Sequence, residues 1–319
     1  MNRILVTGGA GFIGSHLVDA LVDKGHKVTV LDNLSTGHEH NLSHSIENHQ
    51  HQVTFIVGDC RKPKDIEKAL KGVDVVFHLA ANPEVRLELA DPKKCYEHNI
   101  KATYILLEKI RKSKIESIFF ASSSTIYGDA ATIPTPEHYG PLKPISIYGA
   151  SKLACEALVS SHCYSFKKKG IIIRPANIVG PRSTHGVILD FIKKLKANPS
   201  ELEILGDGTQ TKSYLYIYDC VDAIIKAYEL AEDPVTIYNI GSEDQTNATR
   251  IANIIIEEMG LKDVKLKFSG GVNGGRGWIG DVKNMLLDID KLKSLGWKPK
   301  LNSEQAVRET ARHLIAELQ

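Results

Sequence analysis

The chain opens on apolar residues set side by side rather than alternately, Ile4-Leu5-Val6. Similar runs return at Val28-Thr29-Val30-Leu31, Val53-Thr54-Phe55-Ile56-Val57, Val73-Asp74-Val75-Val76-Phe77, Ile118-Phe119-Phe120 and Ile171-Ile172-Ile173. Consecutive apolar positions predict strands buried on both faces, as in a parallel sheet. Between the first two runs Ile13, Leu17 and Leu21 recur at helical spacing, which sets the βαβ rhythm of a doubly wound α/β fold. After about residue 176 the rhythm loosens. PRSTHG and LGDGTQ predict loops around a helix near 187–195, and 212–241 (KSYLYIYD, then VTIYNIGS) reads as strand material returning to the main sheet. Asn302 and Gln305 fit a capping box that opens the last helix. The expected division is a main domain of residues 1–176 plus about 212–245. A smaller domain, interleaved with it in sequence, takes about 177–211 plus 246–319.

Composition narrows the classes of partner. The 319 residues, 42% apolar and 24% charged, suffice for a sizeable core. With 40 Lys+Arg against 38 Asp+Glu there is no field to attract nucleic acid or an anionic membrane, so an anionic ligand must be held locally. Cys60, Cys95, Cys155, Cys163 and Cys220 are odd in number and form no CxxC pair. They suggest neither disulfides nor zinc, and a reducing cytosol fits them. No apolar run approaches about 18 residues and no leader is evident, so a cytoplasmic protein is expected. The histidine-rich stretch 38–51 (HEHNLSHSIENHQH) has irregular spacing that suits a solvated loop, and no metal is expected.

Three motifs carry chemistry. TGGAGFIG sets Gly8, Gly11 and Gly14 between a strand and a helix, where a pyrophosphate can approach the helix N-terminus. Asp32 ends the second strand about twenty residues on, placed to accept hydrogen bonds from an adenosine ribose. No Arg follows it in DNLSTG, which favours NAD over NADP. Asp59, ending the third strand, is a candidate to meet adenine or a plain turn residue. In YGASK, Tyr148 and Lys152 stand four apart on one helical face, so that an ammonium beside the phenol lowers its pKa toward neutrality. Just upstream, ASSSTIYG supplies hydroxyls at the C-terminal edge of the sheet, Ser123 being the favoured one.

Together these motifs resemble the extended short-chain dehydrogenases/reductases, and within them the UDP-galactose 4-epimerase group. The resemblance extends over nearly the whole chain through HLAAN (78–82), Asn99, RPANIVGPR (174–182), GDGTQTKSYLYIYD (206–219) and RGWIGD (276–281). It implies a Rossmann-like doubly wound sheet with a smaller, interleaved C-terminal substrate domain, bound NAD, and a homodimer paired through helices near 100–113 and 149–165. Apolar faces including Leu106, Ile110, Leu153 and Leu158 suit that pairing, although core burial explains much of the same pattern. By the resemblance, Phe12 and Ile13 cover the pyrophosphate, Asp32, Asn33, Ser35, Thr36 and Gly37 hold the adenosine side, and Asp59 and Cys60 lie beside adenine. Leu79, Ala80, Ala81, Asn99 and Pro175 then line the inner cofactor channel. Ser123, Tyr148 and Lys152 are implied in catalysis, and Asn177, Val187, Lys212, Arg276, Asp281 and Met285 in substrate binding.

Two positions depart from the family pattern. Lys212 stands where Arg is usual and offers charge without a bidentate fork. The interval from Arg276 to Asp281 is also longer than in many relatives. The implied reaction is C4 inversion of a UDP-hexose, glucose/galactose or the N-acetylated pair, through a 4-keto sugar. A 4,6-dehydratase is disfavoured because Ser124 and Thr125 stand where its acid pair would be. A UDP-glucuronate 4-epimerase or decarboxylase stays open, with Arg86, Arg182 or His185 available to a carboxylate, although surface salt bridging accounts for each of them more simply. From another class, a non-catalytic NAD-sensing protein would lack the Tyr/Lys pair that is present here.

Overall fold

The computed structural model describes residues 1–84 and 91–318, so Arg86 lies outside the described residues. The chain divides into two compact units. The first comprises 1–123, 147–174 and 224–238, and the second 124–146, 175–223 and 239–319.

In the first unit the apolar runs form a seven-stranded sheet. Its strands are β1 (Arg3–Thr7), β2 (Lys27–Asp32), β3 (Val53–Val57), β4 (Val75–His78), β5 (Ser117–Ala121), β6 (Lys169–Pro175) and β7 (Val235–Ile240), in the order β7-β6-β5-β4-β1-β2-β3. From β3 through β6 every neighbouring pair is parallel. Ile4, Leu5, Val6, Phe77, Phe119 and Ile172 are fully buried, as side-by-side apolar positions predict. The exception is β3, at the sheet's edge, where Val57 is 64% exposed. Along it only Ile56 is buried, so neither face of the strand is continuously covered.

Helix α1 (Phe12–Asp23) buries Leu17, Val18 and Leu21. The stretch 38–51 is not the solvated loop expected. A 3₁₀ turn (Glu39–Leu42) leads into α2 (Ser43–Asn48), and Asn41, Leu42 and Ser45 are buried. Asn41 donates its side-chain amide to the Ala10 carbonyl at 2.9 Å, and the Ser45 hydroxyl donates to Asp19. Both bonds press the histidine-bearing segment onto α1 and the turn before it. Farther on, Pro92–Cys95, a π-helical stretch Tyr96–Lys101 and the α-helix Ala102–Arg111 run end to end. Leu106 and Ile110, expected on a pairing face, are fully buried in the unit's own core. Leu153 and Leu158 are partly buried.

The second unit packs three helices, Val187–Ala197, Ala248–Glu258 and Ser303–Glu317, around Phe191, Ile192, Ile254, Ile255, Val307 and Ala311. Asn302 and Gln305 close the expected capping box. KSYLYIYD does not return to the main sheet. Tyr214–Tyr216 pairs in parallel with Asn177–Val179, and Thr211–Lys212 lies between Thr246–Asn247 and Asn284–Met285. Of the two segments, only VTIYNI joins the seven strands. Among the described residues, no helix is long and apolar enough to cross a membrane.

Candidate active site

Strand order reverses between β1 and β4, and open parallel sheets bind ligands at the C-terminal ends of strands beside such a point. Here β1 runs into the glycine turn. Gly8 has φ +71°, and a Cβ on it would come within 2.7 Å of the Ala80 backbone nitrogen, which follows β4. A Cβ on Gly14 would lie 2.1 Å from the Gly8 carbonyl oxygen, so helix and turn meet backbone to backbone. Gly11 opens α1 without a side-chain cap, and the first turn carries no acid. Its amides are thus available to an anion.

Asp32 ends β2 and accepts from the Ala10 and Leu34 amides at 3.0 and 2.8 Å. Burial pushes its pKa up and those amides pull it down. Next to it, the Asn33 side chain donates to Asp59 at 3.4 Å. Burial raises Asp59, but Arg61, which forks onto its carboxylate at 2.7 and 3.1 Å, and Asn33 together bring it down to about 2. The Cys60 thiol, also buried, is pushed up to about 12 and stays neutral. One cavity of about 220 Å³ is lined by Ser35, Thr36, Asn82, Glu84, Asp91, Lys94, Cys95 and His98. Of the expected cofactor residues its lining includes Ser35 and Thr36, and none of Leu79, Ala80, Ala81, Asn99 and Pro175. The cradle, the bare helix end and the anchored Asp32 fit a dinucleotide.

Tyr148 stands in the first turn of the helix Ile147–Phe166, and Lys152 follows one turn later. The Tyr148 phenol is hydrogen-bonded to Ser123, just beyond β5. Lys152 donates to the Ala121 carbonyl at 2.8 Å, with its nitrogen 5.8 Å from the Tyr148 ring centre and 5.1 Å from that of Phe120. Burial lowers Lys152 to about 8. The expectation that the ammonium brings the phenol toward neutrality is not met in the protein alone. Burial raises the Tyr148 pKa and the Ser123 hydrogen bond only partly offsets it.

Polar side chains brace this corner, and of them only Asn99 was expected at the site, in the inner cofactor channel. His78 bridges Thr7 and Thr103 at 2.7 and 3.0 Å, and burial holds its pKa down to about 3. Asn99, in the π-helical stretch, accepts from the Asn82 amide and donates to the Ser151 hydroxyl, both at 2.8 Å. Ser151 in turn donates to the Tyr148 carbonyl at 2.7 Å. The irregular turn thus aims one side chain at both the segment after β4 and the Tyr148 helix, a use typical of π-bulges. The signal for Ser151 was its place inside YGASK.

The expected substrate residues Lys212, Arg276, Asp281 and Met285 gather in the second unit. Lys212 pairs with Asp281 at 2.5 Å and lies 5.3 Å from the Trp278 ring centre. Arg276 forks onto Asp129 with two bonds of 2.9 Å, and also donates to the Asp281 carbonyl and, at 3.2 Å, to the Asn273 carbonyl. The long interval before Asp281 therefore closes as a loop tied at both ends, the Gly277 amide adding a bond to the Asp281 carboxylate at 3.1 Å. Met285 is buried beside Lys212 in strand register. Asn177 donates to the Ser213 carbonyl at 3.1 Å, and Val187 begins its helix.

The chain is also similar to known proteins. Residues 4–241 match the model of the NAD dependent epimerase/dehydratase family. A solved structure of a UDP-galactose 4-epimerase superposes with a TM-score of 0.87 at 42% identity, covering 99% of this chain and 100% of that one. A putative UDP-glucose 4-epimerase of Methanocaldococcus jannaschii is 35% identical over 96% of both chains. A UDP-N-acetyl-alpha-D-glucosaminuronate decarboxylase of Bacillus cytotoxicus is 32% identical, over 97% of this chain and 96% of its own.

Proposed function

Since the chain belongs to the NAD dependent epimerase/dehydratase family, we propose that it inverts the C4 hydroxyl of a UDP-hexose. The observation that carries this reading is the Tyr148–Ser123 hydrogen bond with Lys152 one helical turn on. Bound NAD supplies the reversible oxidation and reduction at C4, by way of a 4-keto sugar. Tyr148 takes the proton from the sugar 4-hydroxyl and returns it, Ser123 hydrogen-bonds the 4-oxygen, and Lys152 holds the nicotinamide ribose and, together with the positive charge of bound NAD, favours the phenolate that burial alone opposes. Gly8, Gly11, Phe12, Ile13, Gly14, Asp32 and Asn33 hold the pyrophosphate and adenosine. Asn177, Val187, Lys212, Arg276, Asp281 and Met285 hold the UDP-sugar.

We place the enzyme in the cytosol, where five buried free cysteines stay reduced. It pairs as a homodimer through the helices that carry the exposed Tyr104 and Tyr164. The test is to offer the purified protein UDP-glucose, UDP-galactose, their N-acetylated counterparts and UDP-glucuronate without added cofactor, and to follow C4 by NMR. Inversion without net NADH is expected. Stoichiometric NADH release would indicate a dehydrogenase, and loss of carbon dioxide from the uronate a decarboxylase.

A further inference from the structure

The histidine-rich segment makes a grouping that its irregular spacing conceals. Asp23 is the last residue of α1, His44 sits in α2 and His49 directly follows α2. His49 Nε2 lies 2.9 Å and His44 Nε2 3.8 Å from the same Asp23 oxygen. The three ligand atoms all fall within 4.8 Å of one another. A tetrahedral ion with bonds of about 2.0–2.1 Å needs ligand atoms about 3.3 Å apart, a value these separations bracket.

Each ring also has an amide against its other nitrogen: the Asn48 side-chain nitrogen lies 3.1 Å from His44 Nδ1 and the Gln52 side-chain nitrogen 3.4 Å from His49 Nδ1, so rotating either amide by half a turn exchanges its nitrogen for its oxygen. An amide turned to present its oxygen accepts the Nδ1 proton, and this leaves the Nε2 lone pair of each ring for an ion. The C-terminal end of α1, with no basic residue in its last turn, adds a negative dipole. Lys24, the neighbouring cation, pairs with Glu229 at 3.2 Å.

We propose that Asp23, His44 and His49 bind a divalent transition-metal ion such as Zn²⁺, with water completing the shell, and that the ion staples α2 to the end of α1. Two imidazoles and a carboxylate suit zinc, and nickel or copper would compete for the same atoms. The site lies at the opposite end of α1 from the glycine turn. It fastens the far end of a segment whose near end is held at the Ala10 carbonyl by the His38 amide at 3.0 Å. It does not depend on the proposed reaction.

The test uses tag-free protein, titrated with Zn²⁺ by calorimetry and followed by thermal unfolding. One ion per chain is expected, with Tm raised by about 5 °C at saturating metal. His44→Gln and His49→Gln each lose at least about tenfold in affinity and most of the zinc-dependent rise in Tm. His40→Gln, in the same segment but outside the trio, behaves as the parent. Absence of saturable zinc binding, or unchanged binding in both ligand variants, overturns the site and leaves only the 2.9 Å contact between His49 and Asp23.

Discussion

Arg174 and Glu156 meet fork to fork inside the first unit, Nε to Oε1 at 3.0 Å and Nη2 to Oε2 at 2.8 Å, with 4% and 6% of their side chains exposed. Arg174 belongs to β6, and Glu156 lies one turn beyond Lys152 on the helix that carries Tyr148. The pair therefore fixes the middle of that helix to the sheet, two turns beyond Tyr148. Removing one partner leaves a buried charge without its counter-ion. Glu156→Ala should cost about 3–5 kcal/mol by chemical denaturation, and Glu156→Leu combined with Arg174→Met should recover much of it. A loss below about 1 kcal/mol in the single variant would show the charge to be hydrated.

Tyr148→Phe keeps the ring and its packing but removes the phenolic oxygen bonded to Ser123. It should fold and bind NAD as the parent does, while epimerisation falls by about 10²–10⁴-fold. Near-normal turnover would refute the proton-transfer role.

His78 makes stability depend on acid. Its folded pKa is about 3, held down first by burial and then by the Lys152 charge, whereas in the unfolded chain it titrates near 6.5. Between those values the unfolded state binds the extra proton. Stability from this group is therefore complete above about pH 6.5 and is lost as pH falls toward 3, with a limiting slope of about 1.4 kcal/mol per pH unit. Urea midpoints measured from pH 7 to 4 should show a shallower acid limb in His78→Gln. An identical slope in the two proteins would assign the acid sensitivity elsewhere.

Met285 concerns sugar size. Unbranched and buried beside Lys212, it fills space without fixing a rigid wall. Turnover of UDP-N-acetylglucosamine and UDP-N-acetylgalactosamine is expected alongside the unacetylated pair. Met285→Tyr should selectively abolish the acetylated reaction. Equal effects on both pairs would make Met285 a packing residue only.

The sheet was legible in the sequence wherever strands are covered on both faces, because Ile4-Leu5-Val6 and Ile171-Ile172-Ile173 have no other economical use. So were the glycine turn and the Tyr148–Lys152 helix, whose chemistry is local and needs fixed short spacings. Pairing across long separations was not. KSYLYIYD is strand-like by composition, yet whether it meets the main sheet or Asn177–Val179 depends on register that no local pattern encodes. The same holds for Arg276 with Asp129, 147 residues apart, and for Asp23 with His44 and His49. The π-helical stretch around Asn99 likewise leaves no mark in apolar spacing, since one widened turn shifts the period only where it occurs.

The place of β7 has a consequence during synthesis. It is the last strand of the sheet to be made, yet it sits at the edge against β6, with the Gly170 amide donating to the Pro234 carbonyl at 2.7 Å where the two meet. About 60 residues separate the end of β6 at Pro175 from the start of β7 at Val235. At about 5–20 residues per second, a ribosome leaves the β6 edge uncovered for roughly 3–12 s after β6 is complete. During that interval its unpaired backbone can accept a strand from any neighbouring nascent chain. Translation speed thus sets how long that edge waits for its strand, a quantity the finished fold does not record.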